Sequence, residues 1–179
     1  MPDLKPQNAN TKMGVSMLLA MWVLIFSMLA WFFSVVLDWQ NNPNQSVSSQ
    51  YVADQVVEVV LQRNRYGHYL TTGKINEKEV EFMLDTGATG VVVPAYLAVE
   101  LGIKKGRALT VQTANGSIRV FNARLGRVSI GEISLPNVKA MINPQEQSQT
   151  ILLGMSFLKH IEFTQRGDTL ILRQYSNSP

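Results

Sequence analysis

No charged side chain occurs between Met13 and Leu37. This run of 25 residues is broken only by Gly14, Ser16, Ser27 and Ser34. At about 1.5 Å of rise per residue, a helix of this length covers the roughly 30 Å hydrocarbon core of a bilayer with some tilt. A secretory leader has an apolar core of only about 7–15 residues and ends at a small-residue cleavage site. Val36-Leu37-Asp38-Trp39 offers no such site. Residues 13–37 therefore read as a retained transmembrane anchor, with Trp39 where an interfacial aromatic belongs. Lys5 and Lys12 precede the run, and no Lys or Arg lies between Asp38 and Gln62. The positive-inside rule leaves residues 1–12 in the cytoplasm and exports the rest. In a bacterium that is a single-pass inner-membrane protein whose C-terminal part faces the periplasm.

After the anchor, residues 38–55 are polar and rich in Asn, Gln and Ser (Gln40-Asn41-Asn42-Pro43-Asn44-Gln45-Ser46), the composition of a flexible linker. The remaining stretch, 56–175, is long enough for one hydrophobic core but not for two lobes. The whole chain carries 16 basic and 13 acidic residues. That small excess forms no basic stripe and accompanies no base-reading motif, so nucleic acid is not an expected partner. With no Cys in the chain, disulfides play no part and the redox compartment is unconstrained.

Strand signals dominate 56–175. Val56–Leu61 begins a β-rich run, and Tyr66–Ile75 reads as its hairpin partner. Asn76-Glu77-Lys78 then turns the chain into Val80–Leu84. After Val91-Val92-Val93, Pro94 opens a short helix over Ala95–Leu101, with Gly102 placed to stop it. Asn115-Gly116, between Thr110–Ala114 and Ser117–Phe121, is a strong two-residue hairpin signal. Gly131-Glu132 and Gly167-Asp168 mark two more hairpins. The expectation is a mainly β, antiparallel domain with one or two short helices.

Leu84-Asp85-Thr86-Gly87-Ala88-Thr89 interrupts the strands with chemistry. A carboxylate at the end of an apolar strand is costly to ionise unless a neighbour favours or shares the charge. The Thr-Gly that follows allows a tight turn that exposes backbone N–H groups beside it. Further on, Ile151-Leu152-Leu153-Gly154 runs into Met155-Ser156-Phe157-Leu158-Lys159. The order of Asp-Thr-Gly loop, Asn-Gly hairpin, apolar-apolar-Gly segment and terminal hairpin resembles the retropepsin-like aspartic proteases along roughly Val56–Gln174. With the anchor included, the whole chain is similar to the membrane-anchored bacterial members of that group.

The resemblance implies a closed β-barrel corresponding to one half of an acid protease, and an endopeptidase acting on polypeptide. Asp85 would be the catalytic carboxylate, with Thr86, Gly87, Ala88 and Thr89 completing its loop. Ala114, Asn115 and Gly116 would form the substrate-covering flap, and Leu153 and Gly154 would support the loop from below. Ala88 stands where pepsin-like enzymes usually carry Ser, as in retroviral proteases, which implies activity at mildly acidic to near-neutral pH. Thr89 departs from the acidic residue common in the retroviral enzymes. Hydrolysis in this family uses two carboxylates that share a proton. Asp-Thr-Gly occurs once here and Asp-Ser-Gly not at all. The second Asp85 must then come from another copy in a two-fold homodimer. Val56–Leu61 and Leu170–Gln174 are the candidate interface strands. No cofactor is expected, and His68 and His160 share no metal-ligand spacing. The alternative is a non-catalytic module on the same dimeric fold that captures an extended peptide as an added strand.

Overall fold

The computed structural model describes residues 9–53, 55–113 and 116–175, with side chains from Gly14 onward. The chain divides into two units, Met1–Trp39 and Gln40–Pro179. Helix α1 (Ala9–Asn41) accounts for the described part of the first unit, ends two residues into the second, and outruns the uncharged segment at both ends. Every described side chain from Gly14 to Val35 is exposed. By length and composition, Gly14–Asn41 is long and apolar enough to cross a membrane.

The expected flexible linker is largely built into the second unit. Asn42 and Asn44 are buried, and Ser49–Ala53 forms strand β1. The side-chain amide of Asn44 donates to the carbonyls of Gln62 (2.9 Å) and Leu70 (2.6 Å). Its Oδ1 accepts from the Gln62 N–H at 2.7 Å, and its carbonyl accepts from the Thr72 N–H at 3.1 Å. Asn42 reaches Glu81 Oε2 at 3.0 Å, and Asn64 donates to the Asn41 carbonyl at 2.9 Å. Polar composition misled here because Asn side chains imitate backbone donors and acceptors and can satisfy loose chain ends internally.

Two sheets share one core. The smaller has the order β1-β2-β11-β10, with β2 (Val56–Gln62), β10 (Glu162–Arg166) and β11 (Thr169–Tyr175). Strand β2 therefore pairs with β1 and β11, not with the segment after it. Asn64 ties off the intervening loop instead, its Oδ1 accepting from the Tyr66 and His68 N–H groups. The other sheet is a closed barrel of β3 (Leu70–Ile75), β4 (Lys78–Leu84), β9 (Thr150–Leu153), β5 (Val91–Pro94), β8 (Ile133–Asn143) and β7 (Gly116–Ile130). Pairing of β3 with β7 closes the ring, and β6 (Ala108–Thr113) extends from β7. Closure depends on Gly73, because a Cβ there would lie 2.8 Å from the Phe82 ring and closer still to the Ser129 carbonyl.

The sheet is not purely antiparallel, since β4–β9 and β5–β8 run parallel. Strand β9 lies between β4 and β5, and so between the two arms of the Asp-Thr-Gly loop. Short helices α2 (Ala95–Glu100) and α3 (Met155–Leu158) follow β5 and β9. Three hairpins turn where the sequence places them. Asn76 and Glu77 both have positive φ (48° and 69°), Gly131-Glu132 sits between Ile130 and Ile133, and Gly167-Asp168 between Arg166 and Thr169. The β6–β7 ladder ends at the Thr113–Gly116 pair, so Gly116 belongs to a strand and not to the turn. Phe82, Val91, Val93, Leu125, Ile142, Ile151, Leu153 and Phe157 fill the barrel, and Val59, Leu61 and Leu172 of the small sheet pack onto the same cluster.

Asn44→Ala should destabilise the domain by about 2–4 kcal/mol, because it strands buried backbone groups of Gln62 and Leu70. Chemical denaturation measures this, and a cost comparable to a surface substitution would contradict the role given to Asn44.

Candidate active site

Asp85 follows the last residue of β4, and its N–H donates to the Leu153 carbonyl of β9 at 3.2 Å. One residue earlier the Leu84 N–H donates to the Tyr69 carbonyl at 3.0 Å. The carboxylate is thus launched from a strand fixed on both sides. Only Phe82 of β4 is fully buried, so the strand is more open than its apolar run suggests. Asp85 itself is half-buried, whereas Thr86, Gly87 and Thr89 are exposed.

The loop then folds back on the carboxylate. Gly87 donates its N–H to Asp85 Oδ1 at 2.8 Å, and the Ala88 N–H reaches the Asp85 carbonyl at 3.3 Å. A Cβ on Gly87 would stand 3.1 Å from that same Oδ1, which favours the smallest residue there. Charge-assisted donation of this kind stabilises an anion and fixes its direction.

Gly154 locks the loop to the rest of the barrel. A Cβ at this position would lie 2.5 Å from the Ala88 carbonyl oxygen and closer to that of Gly90. With only hydrogen there, the start of α3 closes on the loop, and the Met155 N–H donates to the Ala88 carbonyl at 2.8 Å. Leu153 is buried beneath as part of the core. The site residues read from Asp85 to Thr89 and at Leu153 and Gly154 are therefore brought together. Gly116 is not among the residues lining the cavity at Asp85. Ala114 and Asn115, the other two flap candidates, lie outside the described residues.

Two contributors carry no role in the sequence reading. Ser156 Oγ accepts from the Val91 N–H at 3.1 Å and donates to the Lys139 carbonyl at 2.7 Å, joining α3, β5 and β8 just past the loop. The signal available was a Ser two positions after a helix-starting Gly, where hydroxyls tend to serve backbone groups. Tyr69 was hidden among strand residues. Its hydroxyl is buried with no hydrogen-bond partner among the described residues. It lines a cavity of about 350 Å³ with Leu84, Asp85, Thr86, Leu158, Phe163, Gln165 and Leu170.

A family model described as "gag-polyprotein putative aspartyl protease" matches residues 71–160, about half of the chain. The chain belongs to this aspartyl protease family. Its fold is retropepsin-like: the crystal structure of a retropepsin-like aspartic protease from Rickettsia conorii superposes with a TM-score of 0.56 at 28% identity, covering 72% of this chain and 94% of that one. An uncharacterised Sinorhizobium protein from the cobV 5′ region is 36% identical over 120 residues, which is 65% of this chain and 52% of the relative. An uncharacterised protein of Rickettsia prowazekii is 28% identical over 162 residues, 86% of this chain and 69% of the relative. The chain thus spans about half the length of the Sinorhizobium relative. The match at 71–160 runs from β3 to the second residue after α3, which takes in both the aspartyl loop and its Gly154 support.

Gly154→Ala in this aspartyl protease homologue should cost about 3 kcal/mol or more, since the added methyl must displace backbone and not a flexible side chain. Ser156→Ala should cost about 1–2 kcal/mol by freeing the Val91 N–H. Thermal or denaturant unfolding checks both, and the opposite ranking would show that the loop is held some other way.

Proposed function

We propose that this protein is a membrane-tethered aspartic endopeptidase that cleaves peptide bonds with a pair of Asp85 carboxylates, one from each subunit of a homodimer. The observation that carries the reading is the Asp85 loop. One carboxylate oxygen is held by the Gly87 N–H, and the loop is fixed from below by Gly154 and Met155. A strand-capture module needs no half-buried, backbone-oriented carboxylate, so this geometry favours hydrolysis over binding alone.

Chemistry follows from bringing two such carboxylates together on a two-fold axis. Like charges about 3 Å apart do not both ionise, so the pair holds one proton between its two members. The ionised member takes a proton from water as that water attacks the scissile carbonyl carbon. The protonated member donates to the carbonyl oxygen, giving a tetrahedral gem-diol intermediate. Proton return to the amine nitrogen then breaks the C–N bond. Thr86, exposed beside Asp85, would brace its symmetry mate, and the β6–β7 hairpin would cover the peptide. Ala88 supplies no hydroxyl to the carboxylate, which supports activity in a mildly acidic to near-neutral range. The absence of basic residues between Asp38 and Gln62 supports a periplasmic face for the domain, with α1 in the inner membrane of a bacterium.

The test is cleavage of unfolded proteins by the full chain in detergent between about pH 3 and 8, read by mass spectrometry, against Asp85→Asn. Wild type should cut, and Asp85→Asn should lose at least about 1,000-fold in rate while keeping its circular dichroism. A folded dimeric wild type that cuts nothing would overturn the enzyme reading in favour of a peptide-binding module. Equal cutting by both forms would remove Asp85 from the chemistry.

A further inference from the structure

One carboxylate per chain leaves the site incomplete, so the surface that joins two copies must lie close to Asp85. The strands expected to form it do not have a free edge. Val56–Gln62 is paired on both sides, and so is Thr169–Tyr175. Among the described residues the small sheet has two open edges, β1 and β10.

These two edges differ. Strand β1 has a register shift between Tyr51 and Ala53, a local irregularity that turns an edge away from further pairing. Strand β10 pairs regularly with β11 over all five residues and contains no Pro or Gly. Position matters as much as regularity. Phe163 and Gln165 of β10 line the same cavity as Asp85 and Thr86, whereas no β1 residue does. Phe163 is nevertheless 38% exposed, a large apolar side chain left partly uncovered beside the site.

The sequence of β10, Glu162-Phe163-Thr164-Gln165-Arg166, is complementary to itself. An antiparallel pair centred on Thr164 sets Thr164 against the partner's Thr164. On the outer face it sets Glu162 against the partner's Arg166, and by symmetry does so twice. On the inner face it sets Phe163 against the partner's Gln165, on the side of the Tyr69 hydroxyl, which has no hydrogen-bond partner among the described residues. Opposite charges facing each other across strands stabilise the pair, whereas a shifted register loses both contacts. Within one chain, Glu162 already receives the Tyr175 hydroxyl and lies 3.5 Å from Arg173, while Arg166 makes no ion pair among the described residues.

We propose that the two copies join edge to edge through β10, forming a continuous eight-stranded sheet with the two Thr164 residues on the axis and Glu162–Arg166 pairs flanking it. This rests on the dimeric protease reading and names the surface that the reading requires. The partner is a second copy of this chain. The charges at the ends of β10 disfavour foreign strands while matching its own.

The natural absence of Cys gives a direct test. Opposed Cα atoms in an antiparallel pair are about 4.5–5.5 Å apart, within the span of a disulfide. Under mild oxidation the full chain carrying Thr164→Cys should form a reducible covalent dimer. Val60→Cys, on the outer face of β2 two strands away, should not. In sedimentation of the full chain in detergent, Arg166→Glu should weaken self-association by about 10-fold or more, and adding Glu162→Arg should restore it to within about 3-fold. The proposal fails if Thr164→Cys cross-links no better than Val60→Cys, or if Arg166→Glu leaves association unchanged. It also fails if wild type is monomeric and β10 instead takes up an added peptide. Cross-linking without any peptide cleavage would keep this interface and discard the protease. Asp85-dependent cleavage without cross-linking would do the reverse.

Discussion

A missing methyl group at position 154 holds the site together. Strand β9 runs between the two arms of the aspartyl loop and must leave the sheet where those arms come closest. Backbone oxygens of Ala88 and Gly90 occupy the space that any side chain at 154 would need. Because that space is free, α3 begins directly under the loop, where the Met155 N–H serves the Ala88 carbonyl and Ser156 Oγ serves the Val91 N–H. The carboxylate of Asp85 needs no long-range electrostatic partner to hold its direction. Its own loop provides a donor, and the sheet provides the rigidity.

Polar side chains, more than ion pairs, connect the parts of this domain. Asn44, Asn64 and Asn76 each stand in for a piece of backbone. Asn44 extends the pairing of β2 and β3 where no strand reaches them. Asn64 organises the turn after β2, and Asn76 joins the β3–β4 hairpin to Arg127 of β7 and so helps close the barrel. An amide offers both a donor and an acceptor without the desolvation cost of a charge. The ion pairs of Arg173 with Glu58 and Glu162 lie on the outer face of the small sheet, where screening limits their worth.

Local features were legible in the sequence and distant pairings were not. The Asp85 loop, the Gly154 segment and three hairpin turns are each written within a few residues, because positive φ or close backbone approach restricts which residues can serve. The partners of β2 are Ser49–Ala53 and Thr169–Tyr175, and no pattern within β2 names either. Parallel pairing of β4 with β9 joins segments far apart in sequence, and alternation alone does not distinguish it from a hairpin. The Asn-rich stretch after the helix has the composition of a linker, because composition reports solubility and not which amides find buried partners. The roles of Ser156 and Tyr69 are not legible in the sequence for a similar reason, since they depend on neighbours contributed by other strands.

The ordered Asn41–Asn44 segment has a consequence for the life of the protein after synthesis. Many domains joined to a helix by a flexible chain survive a cut in that chain. Here a cut after Asn44 would carry off the residue that completes the β2 and β3 backbone pairing. A cut on that side would unmake the domain, whereas one before Asn42 would leave the Asn44 backbone pairing intact.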